Sequence, residues 1–198
     1  MIDQTGSLTM LTLKCSKSDA LRLATVLQSG FLMPGTEGES IHTFLKELPG
    51  FTEDYLAIEV QTIFYNGDAL DNLDTELAGP GATIALGSAM PGLAGAIMKK
   101  GSPCGALRKS RTAQDSSNQG DPVEVRTKLF NTVARDRGPC LLENGVRIDA
   151  RDLRLFLELR PGLLGSFSDV TLDDTRIHSN DLIEALLLVK QLKLVVHL

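Results

Sequence analysis

The chain lacks any paired cysteine motif. Its three cysteines, Cys15, Cys104 and Cys140, are unevenly spaced and form no Cys-x-x-Cys pair. Neither a disulfide framework nor a zinc knuckle is therefore encoded. We expect three reduced thiols, as in a cytoplasmic protein, and no metal or other cofactor.

Long apolar runs are also missing. The longest purely apolar block covers residues 185–189, far below the roughly 20 residues that span a bilayer. Residues 1–7 have neither a basic flank nor an apolar core, so they do not resemble a secretory signal. We expect an intracellular protein that does not bind membranes.

The chain has no excess of cations. Its 20 Lys and Arg residues face 25 Asp and Glu residues, which gives a net charge of −5. Because affinity for phosphate comes mainly from clustered cations, this balance argues against a nucleic-acid partner. The net charge does not exclude a local basic patch that binds an acidic protein partner, and it does not exclude a homo-oligomer.

What the chain does have is a hairpin signal inside a β-rich stretch. Asn66 and Gly67 separate apolar residues, and these two residue types best tolerate the positive φ angles of a type I′ turn. The other elements predicted in the first part are a strand over 11–15, a helix from Ser16 to Gln28, a helix capped by Ser40, a strand over 58–65 and a strand over 83–86.

Composition changes after residue 98. Residues 99–122 are first basic and then rich in Ser, Gly and Asn, which predicts a linker between a domain at 1–98 and a domain at 123–198. In the second domain, we expect an alternating strand from Val123, a helix face at Leu153, Phe156 and Leu157, a turn over 171–177, a helix over 180–191 and a strand over 194–198.

The two parts repeat the same order of patterns. Each has a strand, a helix, a shorter helix that ends at Pro-Gly (49–50 and 161–162) and a hairpin. A degenerate duplication and a chance similarity of two α+β units both explain the repetition. The predicted fold class is therefore α+β, with two small units.

Residues 63–67, 73–77, 81–86 and 91–95 resemble the second half of the ubiquitin-like sulfur carriers, the ThiS and MoaD proteins. The shared pattern is a strand, an Asn-Gly hairpin, a polar turn, an apolar strand and a glycine-containing tail. The resemblance implies a β-grasp fold for the first unit. It also implies sulfur-carrier activity only if the chain is processed near Gly95, since those carriers act through a free C-terminal Gly-Gly and this chain reads Leu93-Ala94 between its glycines.

The region after the last strand of the first unit is the predicted binding surface. It combines methionines and small residues with a basic run, and the candidate residues are Met90, Gly92, Gly95, Met98, Lys99, Lys100 and Arg108. A packed segment followed by a solvated linker is the alternative interpretation. Cys104 is the candidate reactive thiol, because nearby cations stabilise a thiolate.

Other polar groups carry weaker signals. The acidic set at 68–76 lacks the ligand spacing of an EF-hand. Glu37, Glu39 and His42 form either a metal or acid/base cluster or the acidic start of a capped helix. We predict no catalytic or metal-ligating set from these residues.

Three functional hypotheses follow. The first is a non-catalytic protein-binding or adaptor protein, because no convergent nucleophile and base are visible. The second is a sulfur carrier of a molybdopterin-like or thiamin-like pathway. The third is an enzyme assembled from distant residues, namely Cys104, Cys140, His42 and His178.

Overall fold

A computed structural model describes residues 8–104 and 120–198, which form a mixed α+β structure around a ten-stranded sheet. The strands are β1 (Thr9–Lys14), β2 (Phe31–Thr36), β3 (Thr62–Tyr65), β4 (Asp68–Ala69), β5 (Thr83–Gly87), β6 (Pro122–Leu129), β7 (Val146–Asp149), β8 (Asp169–Leu172), β9 (Thr175–Arg176) and β10 (Gln191–His197). The α-helices are α1 (Lys17–Leu23), α2 (Ile41–Lys46), α3 (Glu53–Ile58), α4 (Gly92–Met98), α5 (Asn131–Asn144), α6 (Ala150–Glu158), α7 (Pro161–Leu164) and α8 (Leu182–Leu187). Short 3-10 helices cover Ala24–Gln28 and Ser179–Asp181.

The strand order across the sheet is β4-β3-β5-β6-β2-β7-β10-β1-β8-β9. The sheet has two halves of five strands, each with a hairpin at its outer edge and a parallel pair inside. The parallel pairs are β5 with β6 and β1 with β10, so each pair joins a strand from before residue 99 to one from after residue 120. Strands from the two parts of the chain therefore interleave in one sheet.

The two halves meet between β2 and β7, where the register contains a single pair, Leu32 with Arg147. Side chains strengthen this weak junction. Arg126 on β6 reaches over β2 to Asp149 at the end of β7, with 2.6 Å between Nη2 and Oδ2. Arg147 forms the opposite ion pair with Glu124 on β6. The two ion pairs thus connect the strands on either side of β2.

Buried and more exposed side chains alternate along the strands, so one face of the sheet lies in the core. On β6, the side chains of Val123, Val125, Thr127 and Leu129 are buried, whereas those between them face the other side. Helices cover the buried face, and α5 packs closely against the 3-10 helix Ala24–Gln28. Gly138 permits this approach, because a Cβ at that position would lie 2.6 Å from the Cβ of Ala24.

Several short-range predictions are confirmed. Asn66 and Gly67 have φ angles of 50° and 91°, and Tyr65 pairs with Asp68 across the antiparallel β3–β4 hairpin. Ser16 and Ser40 cap α1 and α2 by accepting hydrogen bonds from backbone N–H groups three residues later. The later turn is a second hairpin, with positive φ angles at Asp173 and Asp174.

Three element predictions are corrected, and one helix was not predicted. The strand expected over 58–65 begins only at Thr62, because Thr52 caps the helix α3 through Ile58. The helix expected through Gln28 changes to a 3-10 helix after Leu23. The helix expected over 180–191 is limited to Leu182–Leu187, and β10 already begins at Gln191. The helix α5 was not expected, because Gly138 and Pro139 lie inside it.

Candidate functional site

The helix α4 is an uncharged helix with most of its surface open to solvent. Its sequence is Gly-Leu-Ala-Gly-Ala-Ile-Met, and Leu93 is 71% exposed. Among its seven residues only Gly95 is buried, while Ile97 and Met98 are half-buried. An apolar helix in this position leaves Leu93 without the core contacts that normally stabilise a short helix.

Both ends of the α4 segment are attached to the start of β3. The Thr62 hydroxyl donates a hydrogen bond to the Ser88 carbonyl at 3.4 Å, and the Lys100 N–H donates to the Gln61 carbonyl at 2.7 Å. The chain therefore leaves the sheet, forms the exposed helix and returns to the same strand. This arrangement holds α4 in a defined place although Gly92, Leu93, Ala94 and Ala96 are exposed.

Gly95 has a packing role inside this loop. A Cβ at Gly95 would lie 1.7 Å from the Met90 carbonyl oxygen, a distance that only a glycine avoids. The Gly95 carbonyl also accepts a hydrogen bond from Lys99 N–H at 2.9 Å. Gly92, with a φ of +77°, begins the helix after Pro91. Gly92 thus allows the turn into the helix, and Gly95 allows the helix to pack against Met90, which precedes it in the chain.

Lys100 fixes the end of the segment against α3. Its Nζ donates a hydrogen bond at 2.8 Å to the carbonyl of Leu56, which lies in the last turn of α3. A cation at this end is favourable because helix C-terminal carbonyls carry partial negative charge. Desolvation by burial lowers the pKa of the Lys100 amine below its ordinary value.

A solvent-open cleft of about 460 Å³ lies beside Lys100. Its apolar wall includes Leu56, Ala57 and Leu73, and its polar groups include His42 and Glu53. The elements α2, α3, the stretch after β4 and the end of the α4 segment all contribute to the lining. The cleft therefore joins residues that are far apart in sequence.

An ion-pair cluster crosses the rim of this cleft. Glu53 accepts from Lys46 Nζ at 2.7 Å and lies 2.8 Å from His42 Nε2. Hydrogen bonds from Lys46 and then from His42 lower the pKa of the Glu53 carboxyl. Since all three side chains are well exposed, the cluster positions α2 against α3 more than it stabilises the fold.

The predicted binding residues fall into one segment. Met90, Gly92, Gly95, Met98, Lys99 and Lys100 all belong to the α4 loop. Arg108 lies outside the described residues. His42 was already a candidate residue. Its contact with Glu53 and the contribution of the Leu56 carbonyl were not expected, because no helix was predicted over 53–58 and Ile58 was interpreted as the first residue of a strand.

The thiols and imidazoles of the third hypothesis have separate surroundings. Cys104 is half-buried, and its N–H donates to the Ser102 hydroxyl at 3.1 Å. Cys140 lies in α5, where Asn144 donates to its carbonyl at 2.8 Å. The His42 ring contacts Glu53, and the His178 carbonyl accepts from Asp181 N–H at 3.0 Å.

The acidic candidates serve backbone contacts. Glu39 accepts from Thr36 N–H at 2.7 Å, and Asp71 accepts from Gly101 N–H at 2.9 Å. Glu37 is buried. In residues 8–104 and 120–198, no group of three or more His, Cys, Asp or Glu side chains has an arrangement that could hold a metal ion.

No helix in the described part of the chain is long and apolar enough to cross a lipid bilayer. Comparisons of the chain with protein-family models, with curated proteins and with solved structures found no match.

Proposed function

We propose that this protein is a non-catalytic binding or adaptor protein, and that α4 is the surface on which its partner docks. The observation that carries the proposal is an uncharged helix whose Leu93 is 71% exposed although both ends of its segment are hydrogen-bonded to β3. Exposed apolar surface on an anchored element is a common mark of a protein interface.

The energetic contribution of α4 to binding would come mainly from Leu93. Complete burial of a leucine side chain contributes about 1.5–3 kcal/mol relative to exposure, and Leu93 retains most of that surface for a partner. The anchored helix is already ordered, so docking would cost less conformational entropy than binding by a free tail.

We also propose that the first part of the chain is a β-grasp-like unit and that the second part is its degenerate copy. The order strand, helix, strand, helix, helix, hairpin, strand describes β1 to β5 and recurs from β6 to β10, where α8 is added between the hairpin and the last strand. Both hairpins have two-residue turns with positive φ. In this proposal each copy gives one strand to the other, since β6 lies between β5 and β2 and β1 lies between β10 and β8.

The sulfur-carrier hypothesis requires a flexible tail that ends near Gly95. Gly95 is instead buried within α4 and packed against the Met90 carbonyl, and the chain continues to Lys100, whose N–H donates a hydrogen bond to the carbonyl of Gln61 beside β3. This geometry supports docking on a fixed helix in preference to threading of a free diglycine.

The proposal is tested by capture of partners from an extract of the source cell on immobilised protein. We compare the wild type with Leu93→Asp, and the matched control is Leu188→Asp at the end of α8, where the leucine is 89% exposed. Both leucines are on the surface, so both variants should fold normally, as checked by circular dichroism. We expect Leu93→Asp to lose bound proteins that Leu188→Asp retains; equal retention by both variants would refute α4 as the docking surface.

A further inference from the structure

The cleft beside α3 contains one amine whose surroundings differ from those of an ordinary surface lysine. The Lys100 side chain is half-buried and lines the cleft, and its nitrogen is fixed by the 2.8 Å hydrogen bond to the Leu56 carbonyl. The partner in this contact is a neutral carbonyl in the last turn of α3, and burial of the amine outweighs the attraction of that carbonyl for an ammonium, so the pKa of Lys100 is lowered. A neutral amine can make the same contact, because it keeps two N–H groups and a free lone pair.

We propose that Lys100 is a covalent capture site for small neutral aldehydes, which enter the cleft and form an imine with its Nζ. The proposal is independent of protein docking on α4. A lysine that is desolvated beside an apolar wall is a recognised kind of activated nucleophile. The lowered pKa of Lys100 agrees with this geometry, since it increases the fraction of free amine near neutral pH.

The reaction balances without an oxidant or a reductant. The Nζ lone pair attacks the carbonyl carbon, and one proton then moves from the nitrogen to the oxygen to give a neutral carbinolamine. The C–O bond then breaks as the hydroxyl leaves with one more proton as water, and a protonated imine remains. That product keeps one N–H group, so the hydrogen bond to the Leu56 carbonyl survives the reaction.

The lining of the cleft selects the class of aldehyde. Leu56, Ala57 and Leu73 offer apolar contacts, and the carboxylates of Glu53 and Asp74 lie in the same cleft. These carboxylates repel an anionic carbonyl compound such as a 2-oxo acid, whereas they favour the positive charge of the imine. A volume of about 460 Å³ accepts a molecule of the size of a substituted benzaldehyde.

The matched control for this proposal is the preceding residue. Lys99 is exposed and does not line the cleft, yet it shares the same sequence neighbourhood. Peptide mapping by mass spectrometry separates adducts on Lys99 from those on Lys100 and on the other amines of the chain. The measurement on the wild-type protein does not require any variant to fold.

The full chain is incubated near neutral pH with benzaldehyde and sodium cyanoborohydride, which reduces the imine to a stable secondary amine. We expect Lys100 to be labelled several-fold faster than Lys99, and para-carboxybenzaldehyde to label Lys100 several-fold more slowly than benzaldehyde does. Lys100→Arg, which keeps a donor for the Leu56 carbonyl, should remove the fast adduct. Equal rates at Lys99 and Lys100, or equal rates with both aldehydes, would overturn the proposal.

Discussion

Thr127 offers a sharp test of how the sheet is packed. This residue lies in the middle of β6 on the buried face, opposite Phe31 of β2 and Ile84 of β5. Its side chain is fully buried, and its hydroxyl finds no hydrogen-bond partner in the described part of the chain. Thr127→Val replaces that hydroxyl with a methyl group of nearly the same shape and leaves the backbone ladder unchanged.

The expected effect is a gain in stability. An unsatisfied buried hydroxyl costs about 1–3 kcal/mol, and the new methyl group adds apolar contact with its neighbours. We therefore expect the free energy of unfolding to rise by about 1–2 kcal/mol. For a chain of this size that change raises the melting temperature by roughly 2–4 °C per kcal/mol.

Thr62 is the matched control for this substitution. It is also a buried strand threonine, but its hydroxyl donates to the Ser88 carbonyl. Thr62→Val should therefore lower the free energy of unfolding by about 0.5–1.5 kcal/mol. Urea unfolding followed by circular dichroism measures both variants. If Thr127→Val lost as much stability as Thr62→Val, the claim that the Thr127 hydroxyl is buried without a hydrogen-bond partner would be refuted.

Two further predictions concern the junction of the halves and the helix layer. Burial alone would raise the pKa of the Asp149 carboxyl, but hydrogen bonds from Arg126 and Gln191 outweigh burial and lower it. The ionised Asp149 carboxylate therefore stabilises the folded state fully above the unfolded-state pKa of about 3.9. This stabilisation is lost as the pH falls through the folded-state pKa. Urea midpoints measured against pH should fall less steeply in acid for Asp149→Asn than for the wild type, and parallel curves would contradict the assignment. Gly138→Ala should lower the free energy of unfolding by about 1–3 kcal/mol, because the new Cβ meets Ala24. Gly162→Ala in α7, where a Cβ meets nothing within 4 Å, is the control that should leave thermal melting nearly unchanged.

Signals within a few residues of each other predicted much of the local structure. The Asn66-Gly67 turn, the serine caps at Ser16 and Ser40 and the alternation along β6 depend only on neighbouring residues, and all three are present. Where a local signal misled, either another local feature or tertiary packing overrode it. The helix capped by Thr52 includes Ile58, which was predicted to begin a strand, and tertiary packing keeps Gly138 and Pro139 inside α5.

The arrangement of the sheet could not be obtained in this way. The pairing of β1 with β10 and of β5 with β6 joins residues far apart in the chain, and no local pattern specifies such partners. The same limit applies to the site. Lys100 was a candidate from its own segment, but its contact with Leu56 and its place beside His42 depend on how α2, α3 and β3 pack together.

The docking role of α4 is tested most directly by photo-crosslinking from that helix. A photoreactive amino acid is placed at position 93 in one preparation and at position 188 in another, and each is irradiated in an extract of the source cell with and without excess unlabelled wild-type protein. If a partner docks on α4, a discrete crosslinked protein is expected from position 93 alone, and excess wild-type protein should suppress it. Crosslinks that are the same from both positions, or that survive the competitor, would contradict this docking role.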